Sequence, residues 1–117
     1  MVKAKWPIIA ALATTSALAG QAGAAVDEAA FRALAIKRGC FNCHAMDKPV
    51  PGKPKPGPSL RDIGRKYGGQ AGAPERLAGI IRNGSKGGVW GKVAMPAYAK
   101  LDGEDIKTLV QFILSLR

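Results

Sequence analysis

Two cysteines and a histidine stand close together in the first half of the chain, at a spacing that suits one kind of chemistry. They form the pentapeptide Cys40-Phe41-Asn42-Cys43-His44, a C-x-x-C-H pattern. Two thiols three residues apart on one turn of chain can each add to a vinyl group of the same porphyrin. The histidine that follows is then held beneath the iron as an axial ligand. The pattern therefore predicts the covalent attachment of one c-type haem.

Three other readings of C-x-x-C fit this sequence less well. A thioredoxin-like redox pair belongs in a βαβ context, and no such pattern is visible. A structural zinc ion needs about four ligands, whereas Cys40, Cys43 and His44 are the only cysteines and histidine of the chain. A simple disulfide between the cysteines, with His44 incidental, is the third alternative.

A second axial ligand cannot be a histidine of the same chain, because His44 is the only one. Methionine, lysine, an amine, water or no ligand remain. Met46 follows His44 by two residues, too short a segment to pass around a porphyrin. Met95 lies far along the chain, just before Pro96, so we predict Met95 as the ligand; a gap-filling core methionine is the alternative. Histidine and methionine ligation raises the reduction potential and fills both axial positions, which favours electron transfer over catalysis.

The N-terminal segment has the features of an export signal. It combines a basic start, an apolar run and an A-x-A site: Lys3 and Lys5, Ile8–Ala19, and Ala22-Gly23-Ala24. The apolar run is shorter than the roughly 18–20 residues of a transmembrane helix. We therefore predict a signal peptide over 1–25, cleaved after Ala24 or Ala25, and a periplasmic domain over 26–117 with no stable membrane insertion.

The chain has 117 residues, enough for one domain, and its 18 basic residues against 8 acidic ones make it strongly basic. Removal of residues 1–25 leaves a net charge of +8. This charge predicts redox partners with acidic docking surfaces. Export and the lack of a basic stripe interleaved with aromatic residues argue against nucleic acid. We expect a monomer.

A proline- and lysine-rich segment over 47–58 follows the C-x-x-C-H motif. Its five prolines exclude helix and favour an extended loop. Lys48, Lys53 and Lys55 either are simply solvated or form a basic collar that orients an acidic partner.

Helix signals occur in four places, and no β-hairpin signal or internal repeat is seen. Caps, apolar faces at i, i+3 and i+4, and glycine stops predict helices that start near Asp27, Ser59, Pro74 and Asp102. The predicted fold is all-α, with about four short helices wrapped around one covalently bound haem.

On these residues the chain resembles the short bacterial class I cytochromes c, periplasmic monohaem electron carriers. The landmarks are Cys40-Phe41-Asn42-Cys43-His44, Gly57-Pro58, Asn83-Gly84-Ser85, Val89-Trp90-Gly91 and Met95-Pro96. The resemblance implies that the Pro58 carbonyl accepts the Nδ1 proton of His44, and that Trp90 donates to a haem propionate.

The function implied is the transfer of single electrons between redox enzymes, from a respiratory-chain donor to a terminal reductase or oxidase, and not catalysis. Two alternatives use the same haem chemistry differently. One is a cytochrome subunit of a stable dehydrogenase complex. The other is a haem enzyme or gas sensor with an open iron position.

Overall fold

The computed structural model describes residues 2–3 and 27–117, and four helices organise the described part of the chain. The predicted signal peptide over 1–25 lies outside the described residues except for Val2 and Lys3. The predicted all-α fold class is confirmed. The helices are α1 (Glu28–Lys37), α2 (Leu60–Tyr67), α3 (Ala73–Asn83) and α4 (Gly103–Ser115).

Three of the helices begin at the polar residues that the sequence indicated. The side chains of Asp27, Ser59 and Asp102 each accept a hydrogen bond of 2.8–3.0 Å from a backbone N–H in the first turn. Such caps satisfy N–H groups that have no partner inside the helix. Helix α3 begins at Ala73, one residue before the predicted Pro74, which is therefore its second residue. Proline is tolerated there because the N–H groups of the first turn have no partner inside the helix.

The hydrophobic core joins the C-terminal helix to the rest of the molecule. Helix α4 packs against α1, α2 and α3. Phe112 of α4 stacks on Phe31 of α1, with ring centroids 4.1 Å apart, and Phe31 meets Phe41 edge to face at 6.3 Å. Since Phe41 lies between the two cysteines, this aromatic cluster fixes the C-x-x-C-H segment against α1 and α4.

The segment after the proline-rich loop returns to lie along the C-x-x-C-H motif. The backbone N–H of Gly57 donates to the Cys43 carbonyl at 2.8 Å, and that of Leu60 donates to the Ala45 carbonyl at 2.8 Å. These bonds attach the start of α2 to the residues that follow Cys43. Within 27–117, no helix is both long and apolar enough to cross a membrane.

The glycine-rich loop between α3 and α4 is more ordered than the sequence indicated. The backbones of Ser85 and Met95 pair in an antiparallel bridge, with N–H to carbonyl distances of 3.0 and 2.8 Å, and Gly88 pairs with Gly91 nearer the tip. The sequence showed no hairpin signal here because the loop lacks the alternating β-branched residues of a strand. The pairing depends on backbone groups alone.

Candidate haem site

The C-x-x-C-H motif folds as one tight turn. A 3₁₀ segment, Cys40–Asn42, follows Gly39, whose φ of 75° suits glycine. The N–H groups of Cys43 and His44 both donate to the Cys40 carbonyl, at 3.2 and 3.0 Å. The two cysteines form no disulfide with each other and are half-buried, and burial is the main cause that raises the pKa of the Cys40 thiol. The turn thus holds two thiols and an imidazole within five consecutive residues.

The hydrogen bonding of His44 determines which ring nitrogen is free. Its Nδ1 lies 2.7 Å from the Pro58 carbonyl oxygen. A carbonyl only accepts, so we assign the proton to Nδ1. The lone pair of Nε2 then remains for a metal, and the bond to Pro58 fixes the ring orientation and makes the imidazole a stronger electron donor to a bound metal. The donor chemistry of His44 therefore fits an iron ligand.

Gly57 leaves room for the His44 ring. A Cβ at this position would lie 2.8 Å from His44 Cε1 and 2.9 Å from the Cys43 carbonyl oxygen, both shorter than ordinary contacts. The backbone of Gly57 is in an ordinary conformation, so glycine is required here by space alone. The sequence marked Gly57 as a landmark, and the structure gives it a steric role.

The structure brings the predicted site residues to one region. Cys43, His44, Pro58, Trp90 and Met95 line a cavity of about 250 Å³. Cys40 lines an adjoining apolar pocket of about 70 Å³, to which His44 and Met95 also contribute. The remaining walls are mostly apolar, including Ile63, Leu77, Ile80, Val89 and Val93. Two thiols, an imidazole and a thioether around an apolar space suit a large flat porphyrin.

Met95 is held in position by its backbone. It is half-buried, and both its backbone N–H and its backbone carbonyl are hydrogen-bonded to Ser85. Gly84, at a φ of 76°, allows its backbone to lie close to that of Met95. Any other residue would place a Cβ 2.6 Å from the Met95 carbonyl oxygen. The sequence signalled this only indirectly, through the Asn83-Gly84-Ser85 landmark, and did not predict the contact with Met95.

Tyr98 lies near Met95 in the same apolar surroundings. It contributes to the smaller pocket, and its backbone N–H donates to the Ile81 carbonyl at 2.9 Å. Burial is the main cause that raises the pKa of its phenol above the usual value. The hydroxyl is therefore protonated at neutral pH and able to donate a hydrogen bond.

A group of aromatic and basic side chains stands at the edge of the cavity, around Trp90. Trp90 is 41% exposed. Lys66 Nζ lies 5.8 Å from the Trp90 ring centroid and 5.7 Å from that of Tyr67, while the Arg76 guanidinium lies 5.1 Å from the Tyr67 centroid. The sequence gave no sign that Lys66, Tyr67 and Arg76 lie beside the site.

The three lysines of the proline-rich loop are not equivalent. All three are exposed. Lys55 Nζ donates to the Phe41 carbonyl at 2.8 Å. Lys55 thus fastens the loop to the C-x-x-C-H turn, whereas the structure gives no protein hydrogen bond to the side chains of Lys48 and Lys53 within the described residues.

The fold and the site together define a c-type cytochrome. The family model described as "Cytochrome C oxidase, cbb3-type, subunit III" matches residues 19–113. The chain belongs to the cytochrome c family, as a class I monohaem cytochrome. It is 39% identical over 110 residues to cytochrome c-551 of Pseudomonas aeruginosa, covering 94% of this chain and 95% of that one. It is 40% identical over 84 residues to cytochrome c-552 of Hydrogenobacter thermophilus, covering 72% and 79%.

Solved structures agree with this assignment. The crystal structure of Nitrosomonas europaea cytochrome c552 superposes with a TM-score of 0.64 at 37% identity, covering 74% of this chain and 99% of that one. The class 1 cytochrome MtoD of Sideroxydans lithotrophicus superposes with a TM-score of 0.63 at 34% identity, covering 79% and 98%. The family implies covalently bound haem c, for which Cys40 and Cys43 are present. The protein is an electron carrier that works with redox partners, and not an enzyme.

Proposed function

We propose that this cytochrome carries single electrons between redox enzymes of the periplasm, with His44 and Met95 as the two axial ligands of its iron. Haem c, bound through Cys40 and Cys43, supplies the one-electron change in iron valence. The observation that carries the proposal is that a histidine with a free Nε2 and a half-buried methionine line the same cavity.

The ligands have complementary effects on the iron. Pro58 accepts from His44 and makes the imidazole a stronger donor, which favours the ferric state. The Met95 thioether favours the ferrous state and raises the reduction potential. With both His44 and Met95 bound, the iron would offer no position for oxygen or peroxide, in keeping with a carrier. Trp90 has an indole N–H at the cavity edge, where it can donate to a propionate.

Docking would rely on charge. The net charge of +8 over 26–117 attracts acidic surfaces and raises encounter rates, and salt screens the attraction. Lys48 and Lys53 are the exposed lysines of the proline-rich loop that remain available, since Lys55 is bonded to Phe41. We propose a monomeric protein, exported by a signal peptide over 1–25, that meets acidic redox partners transiently.

A stable complex is the second candidate, because the matching family model is described as an oxidase subunit. Co-purification after mild lysis separates the two candidates: a carrier elutes at the size of one domain, and a subunit elutes with its enzyme.

The test of ligation is an optical spectrum of the oxidised and reduced holoprotein, with and without carbon monoxide. We expect a sulfur–iron charge-transfer absorption in the ferric protein and no rapid carbon monoxide binding in the ferrous protein. Met95→Ala should remove the absorption, lower the reduction potential and admit carbon monoxide. Met46→Ala, at the other methionine of residues 27–117, which is also half-buried, is the matched control and should keep all three properties. A Met95→Ala spectrum identical to wild type would rule out Met95 as the ligand.

A further inference from the structure

The far end of the proline-rich loop is a closed turn. The backbone N–H of Lys53 donates to the Val50 carbonyl at 2.9 Å, and Gly52 has a φ of 78°. With Pro51 before Gly52, this is the pattern of a type II β-turn, in which proline and glycine occupy the two central positions. We call residues 50–53 the tip turn. Its hydrogen bond and its glycine give the loop a defined shape in the free protein.

The loop is attached to the rest of the molecule on both sides of the tip turn. On one side, Arg61 at the start of α2 forms an ion pair with Asp47. On the other side, Lys55 donates to the Phe41 carbonyl at 2.8 Å. Each of the three prolines between these anchors fixes its own φ. The tip turn therefore has little conformational freedom to lose when a partner binds, which favours association.

The tip turn presents an apolar side chain beside two cations. Val50 is 64% exposed, and Lys48 and Lys53 are exposed on either side of it in the chain. Within the described residues, neither lysine forms an ion pair, and Asp47, the only acid of the loop, is already paired. An apolar anchor surrounded by a polar rim is the arrangement found at the centre of protein–protein contacts.

The tip turn is close to the proposed haem site along the chain. Pro56 lines the larger cavity and follows Lys53 by three residues, so the two are at most about 11 Å apart. A protein that docks on the tip turn is therefore brought next to the cavity, as electron transfer to or from the haem requires.

We propose that the tip turn is a preformed docking element for an acidic redox partner, with Val50 as its apolar anchor and Lys48 and Lys53 as its charged border. The inference rests on the proposed carrier function and specifies the surface of the partner, a small apolar depression bordered by carboxylates. The charges raise the encounter rate and are screened by salt, whereas the apolar contact stabilises the docked complex at any salt concentration. Ionic strength therefore separates the two contributions.

The test of the apolar anchor compares Val50→Thr with Ile36→Thr in the holoprotein. Ile36 is 68% exposed on α1 and lies outside the loop. The measurement is the initial rate at which respiratory membranes of the source organism, supplied with a quinol, reduce the ferric protein at a sub-saturating concentration. We expect Val50→Thr to be reduced about fivefold more slowly than wild type at low and at high salt, and Ile36→Thr to match wild type.

The test of preformation compares Gly52→Ala with Gly69→Ala. The two glycines have φ values of 78° and 79°, and a Cβ at either position would meet nothing within 4 Å, so both variants introduce the same backbone strain. Gly52→Ala should speed the hydrogen exchange of the Lys53 amide and slow reduction by the membranes about fivefold. Gly69→Ala should leave both properties unchanged.

Reduction by ascorbate is the control for the haem itself, because this small molecule needs no docking surface. All four variants should react with ascorbate at the wild-type rate. Wild-type rates with the membranes for either Val50→Thr or Gly52→Ala would overturn the proposal, and so would an equal loss of rate with ascorbate. Failure of the carrier function is recognised separately, since the wild-type protein would then be reduced by ascorbate and not by the membranes.

Discussion

Replacement of Gly57 by alanine tests how firmly the chain holds its histidine. The added Cβ would lie 2.8 Å from His44 Cε1 and 3.0 Å from Nδ1, whereas ordinary contacts begin at 3.4 Å, so the ring or the backbone must move by about 0.6 Å. Overpacking of this kind costs about 1–3 kcal/mol of the free energy of unfolding. Displacement of the ring also weakens the 2.7 Å hydrogen bond from His44 Nδ1 to the Pro58 carbonyl.

The loss of that hydrogen bond should be visible in the reduction potential. A typical net value of 0.5–1.5 kcal/mol, acting wholly on the ferric state, corresponds to a rise of about 20–60 mV for one electron. A smaller rise is expected because some of the bond remains. The assays are denaturant unfolding of the ferric holoprotein and a redox titration, which report the steric cost and the weaker imidazole donation separately.

Gly79→Ala is the matched control for this substitution. Gly79 lies inside α3, and a Cβ there would meet nothing within 4 Å. Because glycine is a poor helix former, this variant should be more stable by roughly 0.5–1 kcal/mol, with an unchanged potential. If Gly57→Ala matched Gly79→Ala in both stability and potential, the packing of Gly57 against His44 would be refuted as a constraint on the site.

Two further predictions concern docking and the core. The double variant Lys48→Gln/Lys53→Gln should slow electron transfer with the physiological partner at low ionic strength, and its rate should approach that of wild type at high salt. The control double variant Lys100→Gln/Lys107→Gln should slow the reaction less. Equal losses of rate in the two double variants would show that only the net charge matters. Phe112→Ala should lower the free energy of unfolding by about 3–5 kcal/mol, because Phe112 is 6% exposed and stacks on Phe31. As a control, replacement of the exposed Gln111 by alanine should leave the free energy of unfolding within about 0.5 kcal/mol of wild type in the same denaturant titration. A similarly small loss for Phe112→Ala would contradict the packing of Phe112 in the core.

The parts of the molecule that the sequence predicted well are those with local causes. A helix cap such as Asp102 bonds to a residue three positions away, so its signal is contained in a few consecutive letters. The C-x-x-C-H turn is similarly local, since its hydrogen bonds join residues three and four positions apart. For this reason the helix starts and the haem-attachment motif could be read without a structure.

The parts that the sequence missed depend on segments that meet only after folding. The backbone pairing of Ser85 with Met95 leaves no side-chain pattern, because any residue can supply an N–H and a carbonyl. Arg76 stands among other charged residues on an amphipathic helix and looks like an ordinary solvent-facing cation. Its place beside Tyr67 and the cavity follows from how α2 and α3 pack, which one-dimensional periodicity cannot show.

The proline-rich loop illustrates how an irregular segment can border a fixed site. His44 is held from the far end of the loop, by the Pro58 carbonyl and by the bond from Gly57 to Cys43, and both contacts use backbone acceptors. Lys55 adds a third attachment, to the Phe41 carbonyl, and the prolines before it restrict the unfolded chain and so lower the entropy lost on closure. Residues 48–53 can therefore change in composition without moving the imidazole, which leaves them free to set the charge that a partner meets.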